Sequence, residues 1–254
     1  MNNVISAFIY SYIFIIGMCL CSFFMVVGYR VVRKEGLAGR SHCENCKNTL
    51  MWWHVLPLIS YIVLRGKCYF CSSKIGIQNP IFEIFIGILF VNSAYFLDFS
   101  VEMFVSFTLI CLLFTVSVSD LLYQIIPNKV LFPFFIVILI ERTVVPQNEF
   151  WWYPLAGILV GFFPLFLIAL TKDKAIGGGD IKLFAVIGAF VGPIGVLVAL
   201  FLASLTGIIF YIFSFIFVEK KEKYIPFAPS IGIGSFIVYL FTSRQMEVIL
   251  QLFS

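Results

Sequence analysis

Four cysteines form two Cys-x-x-Cys hooks, separated by 21 residues, that could hold a metal ion: Cys43, Cys46, Cys68 and Cys71. Four thiolates at this spacing suit the tetrahedral coordination of a structural zinc ion, although the gap is slightly longer than in most zinc ribbons. Disulfides or a redox-active pair are the alternative, which a reducing cytoplasm disfavours. His42 and His54 could each replace a cysteine as ligand, but ordinary loop residues are the simpler interpretation.

Two aspartates beside apolar segments could form a catalytic pair. Asp120 ends an apolar stretch, and Asp180 follows three glycines, Gly177 to Gly179, which would let the backbone approach a substrate strand closely. Two carboxylates brought together at one membrane boundary would share a proton, since both cannot ionise cheaply. As in an aspartic protease, one could activate a water while the other polarises the scissile carbonyl. The alternative is that Asp180 caps a helix and Asp120 is an ordinary interfacial residue.

The elements that carry these residues must lie in a membrane. The 254 residues are 61% hydrophobic and only 12% charged, with a mean hydropathy of +1.06. A soluble domain has about 25% charged residues, and a globule of this size could not hide so much apolar surface from water. The same composition excludes intrinsic disorder and nucleic-acid-binding arms. We therefore expect an all-α polytopic membrane protein.

About eight transmembrane helices are expected from apolar stretches of sufficient length. The Gly192-Pro193 pair should divide the long stretch Ile181–Val218 into two helices, of which the first is short enough to be re-entrant. Lys129 and Glu141 make the fourth span the least regular. The predicted spans are Val4–Gly28, Pro80–Leu97, Met103–Ser119, Ile126–Val145, Trp151–Thr171, the two halves of Ile181–Val218, and Ala228–Ser243. We divide the chain into a first transmembrane helix (1–28), a cysteine loop (29–79) and membrane-embedded helices that carry both aspartates (80–254).

The distribution of lysine and arginine predicts the orientation. Fifteen of the seventeen basic residues fall in segments 29–79, 120–129, 172–182 and 219–227, which we therefore place in the cytoplasm, with the N-terminus outside. Both aspartates then lie at the cytoplasmic boundary. Arg142 and Arg244 are the exceptions. The outer segments carry acidic residues instead: Asp98, Glu102, Glu141, Glu149 and Glu247.

Taken in order along the chain, these motifs resemble those of the prepilin peptidases, polytopic aspartic proteases of the G-x-G-D class that also N-methylate their product. The matching segments are Arg40-Ser41-x-Cys43-x-x-Cys46, Pro57-x-x-Ser60-Tyr61, Leu64-Arg65-Gly66-Lys67-Cys68-x-x-Cys71, Asp120 followed by Ile126-Pro127-Asn128, Gly177-x-Gly179-Asp180-x-Lys182-Leu183 with Gly188-Ala189, and Pro226-Phe227-Ala228-Pro229. The family often has Gly-Ser-Phe-Leu-Asn where this chain has Cys21 to Met25, a proline at Glu44 and an acidic residue at Asn128. The departures lie mainly in the half associated with methyl transfer.

The resemblance implies a function and a set of site residues. Asp120 and Asp180 would be catalytic, supported by Gly177, Gly179 and Lys182. The substrates would be the leaders of prepilin-like and pseudopilin precursors, and the protein would lie in the bacterial inner membrane, in contact with lipid and not with nucleic acid. The methyl donor would be S-adenosylmethionine, and the four cysteines would bind zinc.

Glu83 is a candidate for binding the methyl donor, because it lies inside a predicted span next to the cysteine loop. An ordinary first-turn glutamate after Pro80 is the alternative. Two other functions stay open at this point. Paired carboxylates also serve proton-coupled transporters, although both aspartates are expected at one interface and no inverted repeat is evident. A non-catalytic, zinc-anchored secretion subunit is the other. The sequence indicates no oligomeric state.

Overall fold

The computed structural model describes residues 2–37, 39–147, 150–171, 176–217 and 226–253, and it confirms the all-α class. Within these ranges the chain contains helices and two isolated antiparallel bridges, but no strand. The chain divides into two compact units, Met1–Tyr95 and Phe96–Ser254. The division of function at residue 80 stays a prediction.

The first unit contains two long helices and the cysteine loop. Helix α1 (Asn2–Val32) precedes the loop, which includes a 3-10 turn (Trp52–Val55) and the short helix α2 (Ile59–Val63). Helix α3 (Gln78–Phe96) follows.

The described part of the second unit contains five helices. They are α4 (Val101–Tyr123), α5 (Asn128–Val144), α6 (Tyr153–Thr171), α7 (Gly178–Phe217) and α8 (Ala228–Phe253). Helix α7 packs against α6 and α8, and α8 also packs against α4.

Within the described ranges, five helices are long and apolar enough to cross a membrane: α1, α3, α4, α6 and α7. The apolar part of α8 is shorter, Ala228–Ser243. Helix α5 has 17 residues, or about 26 Å at 1.5 Å per residue, slightly less than the apolar thickness of a bilayer. The protein is therefore a multi-pass membrane protein, and the number of eight spans stays a prediction.

Several charged residues used to predict the orientation have no described placement. Glu149 and five lysines lie outside the described residues, as do the side chains of Arg244 and Glu247. The lysines are Lys172, Lys174, Lys220, Lys221 and Lys223. The orientation therefore stays a prediction.

The break expected in α7 occurs at the predicted place. Gly192 has φ 75° and ψ 179°, a left-handed conformation that strongly favours glycine, and a Cβ there would also overlap the ring of Tyr153. Pro193 follows and cannot donate a backbone hydrogen bond. The half of α7 before the break, residues 178–191, is only about 21 Å long.

Glycines allow α6 and α7 to approach until their backbones touch. A Cβ on Gly157 would overlap the carbonyl oxygen of Gly188, and a Cβ on Gly161 would overlap that of Phe184. Gly157 and Gly161 are four residues apart on α6, which is the small-xxx-small spacing of tightly packed membrane helices. This contact fixes the half of α7 that carries Asp180.

A buried ion pair explains why Arg142 departs from the distribution of the other basic residues. Its Nη1 donates to the Glu102 carboxylate at 2.7 Å, and its Nη2 donates to the carbonyl oxygen of Phe190 at 2.8 Å. Phe190 lies in the last turn before the break in α7, where carbonyl groups lack intrahelical partners and a cation is favourable. The hydroxyl of Tyr239 on α8 donates to the same carboxylate. Arg142 therefore links four helices and is 3% exposed.

The acidic residue in the predicted fourth span also has a partner. The hydroxyl of Thr108 on α4 donates to the carboxylate of Glu141 on α5 at 2.6 Å. Lys129 lies at the exposed start of α5, so neither charge prevents the helix from forming.

We predict that Arg142→Ala lowers the free energy of unfolding by about 3–5 kcal/mol, because the partly buried Glu102 carboxylate would be left without its cation. Thermal unfolding of the purified protein in detergent measures the change. Arg33→Ala is the control, since the Arg33–Glu44 pair is exposed to solvent and should contribute about 1 kcal/mol or less. Equal losses in the two variants would contradict the buried network.

Candidate functional site

The two cysteine hooks have the same backbone geometry. In the first, the Lys47 N–H donates to the carbonyl oxygen of Cys43 at 2.9 Å, and Lys47 has φ 58°. In the second, the Ser72 N–H donates to the carbonyl oxygen of Cys68 at 2.9 Å, and Ser72 has φ 56°. Each hook is therefore a tight turn that presents its two sulfur atoms to the same side.

The four sulfur atoms form one cluster, as the spacing predicted. The ligand atoms of all four cysteines lie within 4.8 Å of one another, and the Sγ atoms of Cys43 and Cys71 are 3.8 Å apart. Sulfurs bound to a tetrahedral zinc ion at about 2.3 Å would be about 3.8 Å apart, so the donor set fits this metal. The backbone N–H of Cys46 donates to the Cys43 sulfur and lowers the pKa of that thiol to about 6, which favours the metal-binding thiolate.

The histidines of the loop lie outside this sulfur cluster. Within the described residues the cluster contains cysteines alone, and His42 takes part in a β-bridge with Thr49. His54 is buried, and its Nδ1 accepts a hydrogen bond from the Met51 N–H at 3.2 Å. Its ring packs against Tyr69 in the second hook, with centroids 5.2 Å apart. His54 therefore supports the hook by packing, in agreement with its interpretation as a loop residue.

Glu83 is buried and holds a turn of the cysteine loop. Its carboxylate accepts the backbone N–H of Leu58 at 2.8 Å and also a hydrogen bond from the Ser22 hydroxyl. Leu58 has φ 58° and ψ −48°, and the Ile59 N–H bonds across it to the carbonyl oxygen of Pro57. This is a γ-turn of the rare, strained kind, which persists only where the surroundings stabilise it. A role of Glu83 in cofactor binding stays a prediction.

Asp120, on the last turn of α4, is held by the start of α8. One carboxylate oxygen, Oδ2, accepts the backbone N–H of Ala228 at 2.8 Å, and the backbone of Phe227 also hydrogen-bonds the carboxylate. The first N–H groups of a helix have no intrahelical partners and carry a partial positive charge, so they stabilise a carboxylate. Asp120 is only 8% exposed, so these backbone N–H groups solvate its carboxylate in place of water.

Asp180 lies on the first turn of α7 and close to Asp120. The helix begins at Gly178, so Asp180 is inside the helix rather than at its N-cap, and its own N–H donates to the carbonyl oxygen of Gly177 at 3.0 Å. The carboxyl groups of Asp120 and Asp180 are close enough to interact electrostatically. Asp180 is half-buried. The fold thus brings together two carboxyl groups that are 60 residues apart in sequence.

The glycines before Asp180 differ in what surrounds them. A Cβ on Gly179 would lie 2.7 Å from the Cβ of Ile126, and one on Gly177 would lie 2.9 Å from an oxygen of Asp180. A Cβ on Gly178 would meet nothing within 4 Å. The third glycine is therefore required for packing, and a side chain on the first would press on the Asp180 carboxylate, whereas the second has room for a side chain.

Lys182 ties the first turns of α7 and α5 together. Its Nζ donates to the Oδ1 of Asn128 at 3.1 Å, and both residues are exposed. Asn128 is the first residue of α5 and follows Ile126 by two positions. The Ile-Pro-Asn segment therefore contacts the G-x-G-D segment twice, through Ile126 and through Asn128.

The sequence analysis did not predict two parts of this site. Ile126 belongs to a recognised motif, but its contact with Gly179 has no signal in the sequence. The N–H groups of Phe227 and Ala228 were also missed, because a backbone donor has no residue type that a motif could reveal. The Pro226-Phe227-Ala228-Pro229 motif is the sequence feature that points to this segment as part of the site.

Two protein-family models match the chain. The Bacterial Peptidase A24 N-terminal domain matches residues 15–97, and the Type IV leader peptidase family matches residues 107–212. The first match falls almost wholly within the first compact unit, and the second falls within the second unit.

Several relatives are similar to this chain over most of their length. A prepilin leader peptidase/N-methyltransferase of Bacillus subtilis (strain 168) is 34% identical over 91% of this chain and 94% of its own. A protein of the same name from Vibrio cholerae serotype O1 is 31% identical over 94% of this chain and 99% of its own. One from Neisseria gonorrhoeae is 27% identical over 78% of this chain and 70% of its own. No solved structure matches the chain.

We predict that Gly179→Ala reduces leader cleavage on the order of 100-fold, because the added Cβ displaces Ile126 and with it Asp180. Gly178→Ala is the matched control and should keep nearly full activity, since its Cβ enters open space. Cleavage rates of a prepilin in detergent, at equal amounts of folded enzyme, measure both effects. Similar rates for the two variants would contradict this difference between neighbouring glycines.

Proposed function

Because the chain belongs to the type IV leader peptidase family, we propose that it cleaves the N-terminal leaders of type IV prepilin-like and pseudopilin precursors. Asp120 and Asp180 would be its catalytic residues. The observation that carries the proposal is the meeting of these two carboxyl groups at the ends of α4 and α7. An aspartic peptidase needs such a pair and needs no bound metal at the reacting centre.

The two carboxyl groups perform complementary steps of hydrolysis. One, ionised, removes a proton from a water while the oxygen of that water bonds to the scissile carbonyl carbon. The other, protonated, gives its proton to the carbonyl oxygen. When the tetrahedral intermediate collapses, the carbon–nitrogen bond breaks and the leaving amine takes up the proton removed from the water. A hydroxyl proton of the intermediate returns to the second carboxyl group. The pair returns to its starting state without a covalent intermediate.

The location of the pair suits a substrate that is itself a membrane helix. Asp120 ends an apolar helix of 23 residues, and Asp180 begins the interrupted helix α7, so water can reach the pair more easily than at the midplane. We propose that both residues face the cytoplasm, where the family's leaders precede a glycine and an apolar segment. Gly177, Gly179 and Lys182 support the geometry through the contacts described above.

Methylation of the newly exposed amine is the second proposed activity, with S-adenosylmethionine as the methyl donor. The first unit matches the family's N-terminal domain, and relatives over most of the chain are N-methyltransferases by name. The amine must be neutral to attack, and with a reference pKa of about 8 a modest fraction is neutral at pH 7. Glu83 remains our candidate in this unit. Both hydrogen bonds of its carboxylate are made within the protein, so Glu83 would act through the turn at Leu58.

The four cysteines are proposed to bind a structural zinc ion. Two turns of equal geometry and the separation of the sulfur atoms support this assignment. Four protein ligands leave no open coordination position, so the ion would order the loop.

We predict that Asp120→Asn and Asp180→Asn each abolish leader cleavage, since an amide can neither accept the proton of water nor donate a carboxylic proton. Membranes containing each variant would be incubated with a prepilin, and the new N-terminus would be identified by mass spectrometry. Both variants should insert into membranes in normal amounts. Cleavage retained in either variant would remove that residue from the pair. Ion flux by the wild-type protein in proteoliposomes, with no peptide cleavage, would favour a transporter instead.

We also predict about one zinc ion per chain in the purified protein, lost in Cys43→Ser and Cys68→Ser. Elemental analysis measures the metal, and the mass of the product peptide reports methylation in the same samples. The cysteine variants should lose methylation before cleavage, because the loop belongs to the other compact unit from the aspartates. Cys19→Ser is the control, as Cys19 lies on α1 outside the sulfur cluster. A metal-free protein with normal activity would overturn the zinc assignment.

A further inference from the structure

The two carboxyl groups of the candidate dyad have unequal surroundings. Asp120 receives two backbone hydrogen bonds, from Phe227 and Ala228, at the amino end of α8, and it is buried. Asp180 is half-exposed and has one backbone hydrogen bond, from Gly177, which is outside α7. Both residues lie near the amino end of a helix, since Asp180 is in the first turn of α7. The two differ in the number of backbone hydrogen bonds that they accept, which is two for Asp120 and one for Asp180.

We infer that the amino end of α8 keeps Asp120 ionised, so that Asp120 is the base that activates water and Asp180 is the acid that polarises the scissile carbonyl. The inference rests on the proposed peptidase function and assigns the two roles that this function leaves open. Phe227 and Ala228 are then positioning residues, which act through Asp120 and do not touch the substrate.

The hydrogen bonds favour a negative charge on Asp120 for two reasons. Backbone N–H groups can only donate, and hydrogen bonds from them are stronger to a carboxylate than to a neutral carboxylic acid. The buried carboxylate also has little access to water, so the two donors supply most of its solvation. A charge fixed on Asp120 disfavours a second charge nearby, and the shared proton therefore resides on Asp180.

The arrangement gives a complete proton balance. The Asp120 carboxylate takes a proton from water as the oxygen–carbon bond forms, and Asp180 transfers its proton to the carbonyl oxygen. On collapse, the proton on Asp120 goes to the departing amine, and the hydroxyl proton of the intermediate returns to Asp180. Once the amine has left, Asp120 is ionised again and accepts the hydrogen bonds from the amino end of α8.

The segment around Ala228 allows the key hydrogen bond to be removed by a single substitution. Ala228 is the first residue of α8, a position where proline suits a helix well. Ala228→Pro removes the donated N–H and adds two ring carbons at a buried position. Ala228→Val is the matched control, because valine is similar in size to proline and keeps the N–H.

We expect Ala228→Pro to lower kcat for prepilin cleavage by about 10–100-fold with KM unchanged, which is typical for loss of a hydrogen bond to a charged group. Ala228→Val keeps the N–H, so we expect its loss of kcat to be clearly smaller than that of Ala228→Pro, although the added methyl groups enter a buried position. Equal losses of kcat in the two variants, or an unchanged kcat in Ala228→Pro, would overturn the inference. Wild-type cleavage in the same assay tests the proposed function separately, since its absence would refute that function before any variant is compared.

The pH dependence of kcat reports which member of the pair is ionised. If Asp120 is the base, the acidic limb should move to higher pH in Ala228→Pro and stay in place in Ala228→Val. An acidic limb that does not move in the proline variant would overturn the assignment of roles. Among the described residues, the other titratable groups near this end are Tyr123 on α4, Lys129 on α5 and Lys182 on α7.

A further substitution covers the case in which Ala228→Pro fails to fold, as judged by a melting temperature far below that of Ala228→Val. Lactic acid introduced at position 228 replaces the amide by an ester and removes the same N–H without adding any atoms to the side chain. The ester protein should show the same loss of kcat and the same shift of the acidic limb. Wild-type behaviour of the folded ester protein would overturn the inference.

Discussion

Charged groups surrounded by apolar helices must find partners within the protein, and the second unit is organised around this constraint. Asp120 at one end of α4 is held by backbone donors of α8, and Glu102 at the other end is held by Arg142 and by Tyr239 of α8. Helix α8 therefore runs antiparallel to α4, and its first half, from Ala228 to Tyr239, is attached to both ends of α4. The stability of this helix pair and the electrostatics of the candidate dyad thus depend on the same element.

Close backbone contacts complete the geometry that these polar links begin. In lipid, helices gain little from burying apolar side chains, so close packing between small residues becomes important. Gly157 against Gly188 fixes α6 on α7, while Gly179 against Ile126 fixes the first turn of α7 beside the segment that follows Asp120. Asp180 therefore reaches its position through contacts that a single methyl group would disturb.

Composition and spacing predicted the features that depend on residue type. These include the helical class, the break at Gly192 and the grouping of the four cysteines, since apolar length, a Gly-Pro pair and paired hooks each have a direct physical meaning. The partners of Asp120 and Arg142 could not be predicted in this way. Backbone groups such as the Ala228 N–H and the Phe190 carbonyl are present at nearly every position of any chain. Only the packing of distant helices determines which of them become partners of Asp120 and Arg142. The G-x-G-D resemblance separates Gly179 from Gly178, but the physical reason, the contact with Ile126, becomes visible only in the packing.

The departures from the family pattern leave the contacts of the fold intact. Ser22 is retained within the altered end of α1, and its hydroxyl bonds the Glu83 carboxylate that holds the Leu58 turn. Glu44, at the position of the usual proline, forms an exposed ion pair with Arg33, whereas the hook itself is closed by backbone hydrogen bonds. Asn128 still accepts the hydrogen bond from Lys182, and as an amide it does so without adding a third carboxylate near Asp120 and Asp180. At each of these positions, the contacts are made by a side-chain atom that this chain retains or by the backbone. The departures are therefore compatible with both proposed activities.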